Sequence, residues 1–187
     1  MGGVFSYLLS WVTPGPTYDL TPDPTTGLSE RDCHAILDTW ALVSDRKAIK
    51  QNGVNFFLVL FKEHPYMLKY FPAFKGLSED ELGDSPLLKA HATSVMYAIK
   101  SYVGTIDDAE TLAGLVTKMA NSHVPRGIKT KDLENLAVVF LDFMGSALGS
   151  QWTPEAANAW KQLFDVHCQL YDKVYTELKA GDLANGK

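Results

Sequence analysis

From Leu28 to Leu178 apolar residues return every three to four positions, the spacing of helices with one buried face. Ser29-Glu30-Arg31-Asp32 reads as a capping box with Asp in the place of Glu, and Cys33, Ile36, Leu37 and Trp40 follow it on one face. A second helix is predicted from about Asp45 to Glu63, with Gly53, Phe57, Leu60 and Phe61 on one face. Pro65 ends it or opens a short following helix. Ser85-Pro86 is a cap followed by proline at the first helical position, and Leu88, His91, Val95, Ala98, Ile99 and Tyr102 form the stripe behind it. A further helix starts near Asp107 with Leu112, Leu115, Val116, Met119 and His123 on one face, and Pro125 closes it. Thr130 opens the next, with Leu133, Leu136, Phe140, Met144 and Leu148 inward. Thr153-Pro154 opens the last, striped by Trp160, Leu163, Phe164, His167, Tyr171, Val174 and Leu178. The pattern predicts an all-α domain of six or more helices with short connections.

The first 27 residues have another texture. Gly3 to Val12 is almost wholly apolar, and Thr13 to Gly27 carries Pro14, Pro16, Pro22 and Pro24 with no Lys or Arg. Proline fixes φ and favours extended chain, so the second stretch reads as a semi-rigid linker. The expected division is an apolar segment and linker over 1–27, one folded domain over 28–180, and a tail over 181–187. The chain length of 187 residues suffices for one domain with a sizeable core. The net charge of −5 disfavours a nucleic-acid partner, whose phosphates call for basic patches. Cys33 and Cys168 stand far apart and form no metal-binding pattern, so two free thiols in a reducing compartment are expected.

Five histidines are present. His34, His64 and His167 read as structural or partly exposed. His91 and His123 sit on the apolar faces of separate helices, where two neutral imidazoles point to something held between them. Structural zinc needs about four ligands, and no Cys, Asp or Glu joins this pair at useful spacing. A flat cofactor that brings its own equatorial ligands needs only one or two imidazoles, and haem is such a cofactor. The aromatic stretch KYFPAF, with Phe71 and Phe74, supplies a wall for it.

Over Leu28 to Leu178 the chain resembles a globin. The resemblance is carried by Trp40, by GVNFFLVLFKEHPYMLKYFPAF, by LLKAHATSV and by MANSHVPRGIK, in that order. It implies a globin fold in which Gly53 lies where two helices cross closely, and Pro65 opens a third helix. It implies a haem b cofactor with His123 as the proximal iron ligand, held through Nε2. Its Nδ1–H would be donated to Met119 one turn earlier or to Ser122. The resemblance places His91 at the distal position, where it either donates to a bound gas or itself binds iron. Phe71 would stack on the haem and Phe57 would sit in the distal pocket. Val95, Met119, Ile128 and Phe140 would line the pocket, and Arg126 would pair with a propionate. The implied partners are O2, CO, NO or nitrite. Nitrite reduction, NO dioxygenation or peroxide scavenging would need an outside reductase, since no flavin or nicotinamide motif accompanies the domain.

The N-terminus then becomes a question of location. No Lys or Arg precedes Arg31, which disfavours a secretory or mitochondrial signal. The apolar run is too short to span a bilayer, which takes about 20 residues. Met1-Gly2-x-x-x-Ser6 fits the N-myristoylation pattern, with acylation on Gly2. One acyl chain anchors only marginally, so Val4, Phe5, Leu8, Leu9, Trp11 and Val12 are expected to add shallow insertion. The expectation is an intracellular haem protein on the cytoplasmic face of the plasma membrane, with a redox, protective or signalling role. The alternative is a cytosolic oxygen carrier or store.

Overall fold

A computed structural model describes residues 16–184; Gly2 and the apolar run lie outside the described residues. Seven α-helices follow in order: α1 Glu30–Val43, α2 Ala48–Glu63, α3 Glu79–Asp84, α4 Pro86–Val103, α5 Ala109–His123, α6 Thr130–Leu148 and α7 Pro154–Ala184. Short 3-10 turns follow α2, α5 and α6. No strand occurs among the described residues.

The caps explain most boundaries. Ser29 and Asp32 satisfy each other's backbone N–H groups and fix the start of α1. Asp45 accepts from the backbone of Lys47 and Ala48 and so turns the chain into α2. Ser85 caps α4 with Pro86 at its first position, and Asp108 caps α5. Ser78 and Glu81 form a further reciprocal box at α3, an element the periodicity did not reveal because six residues make too short a stripe. On α1 the buried face is Ile36, Thr39, Trp40 and Val43, whereas Leu37 is 42% exposed. A one-residue step around a helix turns by about 100°, which takes Leu37 off the face that Ile36 buries.

The Pro-rich stretch is not a free spacer over its second half. Asp19 and Glu30 exchange two hydrogen bonds, backbone N–H to the Glu30 carboxylate and Glu30 N–H to the Asp19 carbonyl. Tyr18 lies on His34, with ring centroids 4.7 Å apart. Asp23 and Leu28 close a tight turn in which Gly27 takes φ +68, and Gln162 of α7 donates to the carbonyl of buried Thr26. Residues 18–28 therefore form a strap on α1 and α7.

The core is packed around the crossing of α2 and α4. A Cβ added at Gly53 would lie 2.8 Å from Met96 Cγ and 3.0 Å from the Ala92 carbonyl oxygen. The second of these is backbone and cannot swing aside. At an open helical site, Gly→Ala stabilises by about 1 kcal/mol through helix propensity. At Gly53 the overlap reverses the sign, since overpacking costs about 1–3 kcal/mol. Gly53→Ala is expected to lower the thermal midpoint. Gly114→Ala, in α5 where nothing stands within 4 Å, is expected to raise it. Equal shifts for the two substitutions would show that the close crossing is not the constraint it is taken to be.

Candidate functional site

A cavity of about 540 Å³ is lined by residues of α4, α5, α6, α7 and the turns around them. His91 and His123 both line it, as do Phe71, Val95, Met119, Ile128 and Arg126. The structure thus brings together seven of the residues singled out in the sequence. Phe57 and Phe74 stand one layer back. Phe57 meets His91 edge-on at 5.1 Å, and Phe74 stacks on Phe71 at 5.3 Å with planes 9° apart. Phe140, expected on the wall, is instead fully buried among Phe56, Trp160 and Phe164. Its place on α6 turns toward α2 and α7, and Phe164 takes the wall position in front of it. His167, read from sequence as structural, also lines the cavity. So does Tyr102, which completes the α4 stripe of His91, Val95 and Ala98; that shared face was the signal for it.

His123 ends α5 and is oriented by that helix's own backbone. Its Nδ1 lies 2.9 Å from the Met119 carbonyl and 2.8 Å from Ser122 Oγ, while Ser122 Oγ donates to the same carbonyl. A carbonyl only accepts, so the proton sits on Nδ1 and Nε2 keeps its lone pair. Hydrogen bonds of this kind fix the tautomer and the ring plane of a ligating histidine. Burial pushes the imidazole below its usual range, against the Met119 carbonyl, which favours the charged form. His91 is likewise pushed down, by burial and then by the nearby His123. Both rings are therefore neutral at physiological pH, the form in which imidazole can offer a lone pair.

Phe57 and Phe71 hold the His91 ring between two edges, at 5.1 and 5.0 Å. Neither offers a hydrogen bond. Arg126 reaches back to the Ser122 carbonyl across the last turn of α5 and lines the same cavity. Among the described residues no group of three or more His, Cys, Asp or Glu could hold a bare metal ion. The donor set is two neutral imidazoles, one of them pinned at Nδ1, within aromatic and aliphatic walls. That set fits a flat macrocycle with its own equatorial ligands and does not fit a naked cation.

The two sides of the cavity are tied together across its edge. Tyr66 and Tyr70, in the 3-10 turn after α2, donate to the two oxygens of Asp132 on α6 at 2.9 and 2.7 Å. Asn135 donates to Tyr66, the Lys129 N–H donates to Asp132, and Tyr70 also reaches the Gly127 carbonyl. Lys69 lies over both tyrosine rings. This network links the segment that carries Phe71 to the loop that follows His123. Sequence reading missed it because the tyrosines and Asp132 come from separate segments, and the local capping contact of Asp132 with Lys129 gives no sign of them.

The family model for globins matches residues 54–170. The chain is 34% identical to a globin of Buccinum undatum over 137 residues, 73% of this chain and 93% of that one. It is 28% identical to a globin of Nerita albicilla over 150 residues, covering 80% and 94% of the two chains. It is 29% identical to cytoglobin-1 of Oryzias latipes over 160 residues, covering 84% and 89%. The chain belongs to the globin family. With that membership come haem binding and the binding of diatomic gases such as O2.

The Asp132 network gives the site a pH-dependent stability. Burial by itself would raise the Asp132 carboxyl, but donation from Tyr70, Lys129 and Tyr66 outweighs it and holds the group below its ordinary value. A carboxyl depressed in the folded state stabilises it above the unfolded value of about 3.9, and that stability is lost as pH falls through the folded value. Asp132→Asn is expected to cost about 1–3 kcal/mol near neutral pH, the usual range for a hydrogen-bonded charge. Urea unfolding should show the gap from wild type narrowing below about pH 4. An unchanged gap at acid pH would rule out the carboxylate as its source.

Proposed function

We propose that this globin holds haem b, with His123 as proximal ligand through Nε2 and His91 as the sixth ligand. The observation that carries the reading is the pinned His123 Nδ1, which leaves Nε2 basic in the cavity that His91 also lines. Haem supplies the iron at which a diatomic gas binds. The protein's residues do the rest. Met119 and Ser122 orient His123 and set its tautomer. Phe71 would pack against the macrocycle, with Phe74 stacked behind it. Val95, Met119 and Ile128 line the cavity and would exclude water, and Arg126 on the same wall would pair with a propionate. Two aromatic edges steady His91, and no described group hydrogen-bonds its ring, which leaves its nitrogens available toward the cavity. A gas must then compete with His91, so apparent affinity falls with the fraction of time His91 is displaced.

The reading extends to a membrane-associated redox, protective or signalling role. Support for it is the Gly2 acylation pattern together with the apolar residues Val4 to Val12. Turnover of nitrite, NO or peroxide would draw electrons from a separate reductase. The soluble carrier or store is the reading that follows if Gly2 carries no lipid.

Two measurements test these steps separately. The gas-free ferrous holoprotein is expected to show a low-spin, six-coordinate absorption spectrum. His91→Leu should turn it high-spin and raise CO affinity; a high-spin wild-type spectrum would remove His91 from the iron. In eukaryotic cells, wild type is expected in the membrane fraction, with Gly2→Ala shifted to the soluble fraction. Unchanged partitioning would exclude the acyl anchor.

A further inference from the structure

The cavity has a second polar end that the axial histidines do not use. Tyr102 lies three turns beyond His91 on α4, about 16 Å further along the helix axis. From α7, His167 faces Tyr102 with ring centroids 5.1 Å apart and planes at 49°. Phe164 closes on His167 edge-on at 6.4 Å, and Ile99, Leu133 and Leu136 line the same cavity with aliphatic groups. His167 is 9% exposed, and neither Nδ1 nor Nε2 has a hydrogen-bond partner among the described residues. Trp160 donates to Thr39 and Tyr171 to the Ile128 carbonyl; Trp40 Nε1, away from the cavity lining, is the other buried side-chain nitrogen left without a partner among the described residues.

The chemistry of this end narrows what it can take. Burial, and next the neighbouring His123, push the His167 imidazole down to about 4. The ring is therefore neutral at pH 7, with one N–H to give and one lone pair to fill. Burial pushes the Tyr102 phenol up to about 12, so it stays a donor. A diatomic gas would use neither the donor nor the acceptor fully. An anion such as nitrite would meet an uncharged ring among aliphatic walls. A cation would find no carboxylate, since none lines the cavity. The vinyl and methyl rim of a haem offers no hydrogen bond and cannot satisfy His167 by contact. Leaving both ring nitrogens unpaired in such surroundings is costly.

We propose that the Tyr102–His167 end of the cavity is a binding site for a small neutral protic molecule, one that both donates and accepts a hydrogen bond. Water is the resident and methanol-sized or peroxide-sized molecules compete with it. The site rests on the haem reading above, because Tyr102 and His167 share the cavity that His91 and His123 line. It keeps a protic molecule inside an otherwise apolar chamber, off the axis on which a gas binds. Polar cavities with room hold ordered water, whereas apolar ones stay dry and take xenon. That difference supplies the test.

Crystals of the haem-loaded protein are examined untreated, soaked in methanol and pressurised with xenon. The expected result is an ordered oxygen within hydrogen-bond distance of a His167 ring nitrogen, its replacement by methanol, and no xenon at that end. His167→Leu should lose the oxygen and admit xenon there, with the Soret band unmoved. In solution, the His167 ring 15N shifts should move with methanol in wild type and in Gly114→Ala, the variant away from the pocket. Xenon beside Tyr102 in wild type, with no oxygen near His167, would overturn the site. A His167 nitrogen bonded to another protein group or to the haem would overturn it too. The absorption spectrum separates the two levels. A protein that takes up haem but is dry at His167 loses only this site. A protein that takes up no haem loses the parent reading and the site together.

Discussion

The close crossing of α2 and α4 sets the height of the cavity roof. Gly53 lets the backbone of α2 settle against Ala92, one residue from His91. At that separation Phe57, one turn along α2 from Gly53, meets the His91 ring edge-on. A side chain at Gly53 would push α4 away and carry His91 with it. The position of a cavity-lining imidazole is thus fixed by the absence of a side chain on the neighbouring helix. His123 is placed differently. It sits at a helix end and is oriented by its own last turn, through the Met119 carbonyl and Ser122. One histidine depends on packing between helices and the other on local backbone.

These two modes need a connection, because α4 and α5 touch each other little. The Asp132 network supplies it. Asp132 opens α6 directly after the loop that follows His123, and it takes both tyrosine hydroxyls from the segment that presents Phe71. The segment that presents Phe71 and the loop that follows His123 are held to the same carboxylate. Burying a charge is favourable only when its hydrogen bonds are supplied, and here the donors outweigh the desolvation. The cavity can then remain largely apolar elsewhere without its walls drifting apart.

What could be read in the sequence follows this division between local and distant causes. The starts of α1, α4 and α7 are written in Ser29, Ser85-Pro86 and Thr153-Pro154, each within four residues of the helix it opens; α6 does begin at Thr130, but its cap contact is Lys129 N–H to Asp132 while the Thr130 hydroxyl donates to Asp172. The His123 hydrogen bonds were legible for the same reason, since Met119 and Ser122 lie within its own turn. Leu37 was placed by a stripe and Phe140 on the cavity wall by the resemblance; the stripe itself put Phe140 inward, as it is, but a stripe gives a face and not its neighbour. Leu37 lies one step off the buried face, and Phe140 faces Trp160 rather than the cavity. The Asp132 network joins residues more than sixty positions apart, and no periodicity signals it. His167 read as structural or partly exposed because a helical stripe cannot tell a packed interior from a cavity wall.

The strap carries the same lesson to the N-terminus. A proline-rich stretch with no basic residues has the composition of a spacer, yet its hydrogen bonds to Glu30 and Gln162 hold it against the body. Those partners are invisible to composition. The consequence is geometric. With Tyr18 seated on His34, only residues 13–17 separate the apolar run from the folded body, about 15 Å at roughly 3.1 Å per residue if extended. A globin tethered through Gly2 would stand close to the bilayer, with the strap's own corner toward it. That corner carries Asp19, Asp23, Glu30 and Asp107 around one groove. Its charge opposes anionic headgroups, so any attachment there would have to come from apolar insertion and an acyl chain rather than from electrostatic attraction. Such a body would be held near the membrane by its terminus while its acidic corner is repelled from the lipid surface.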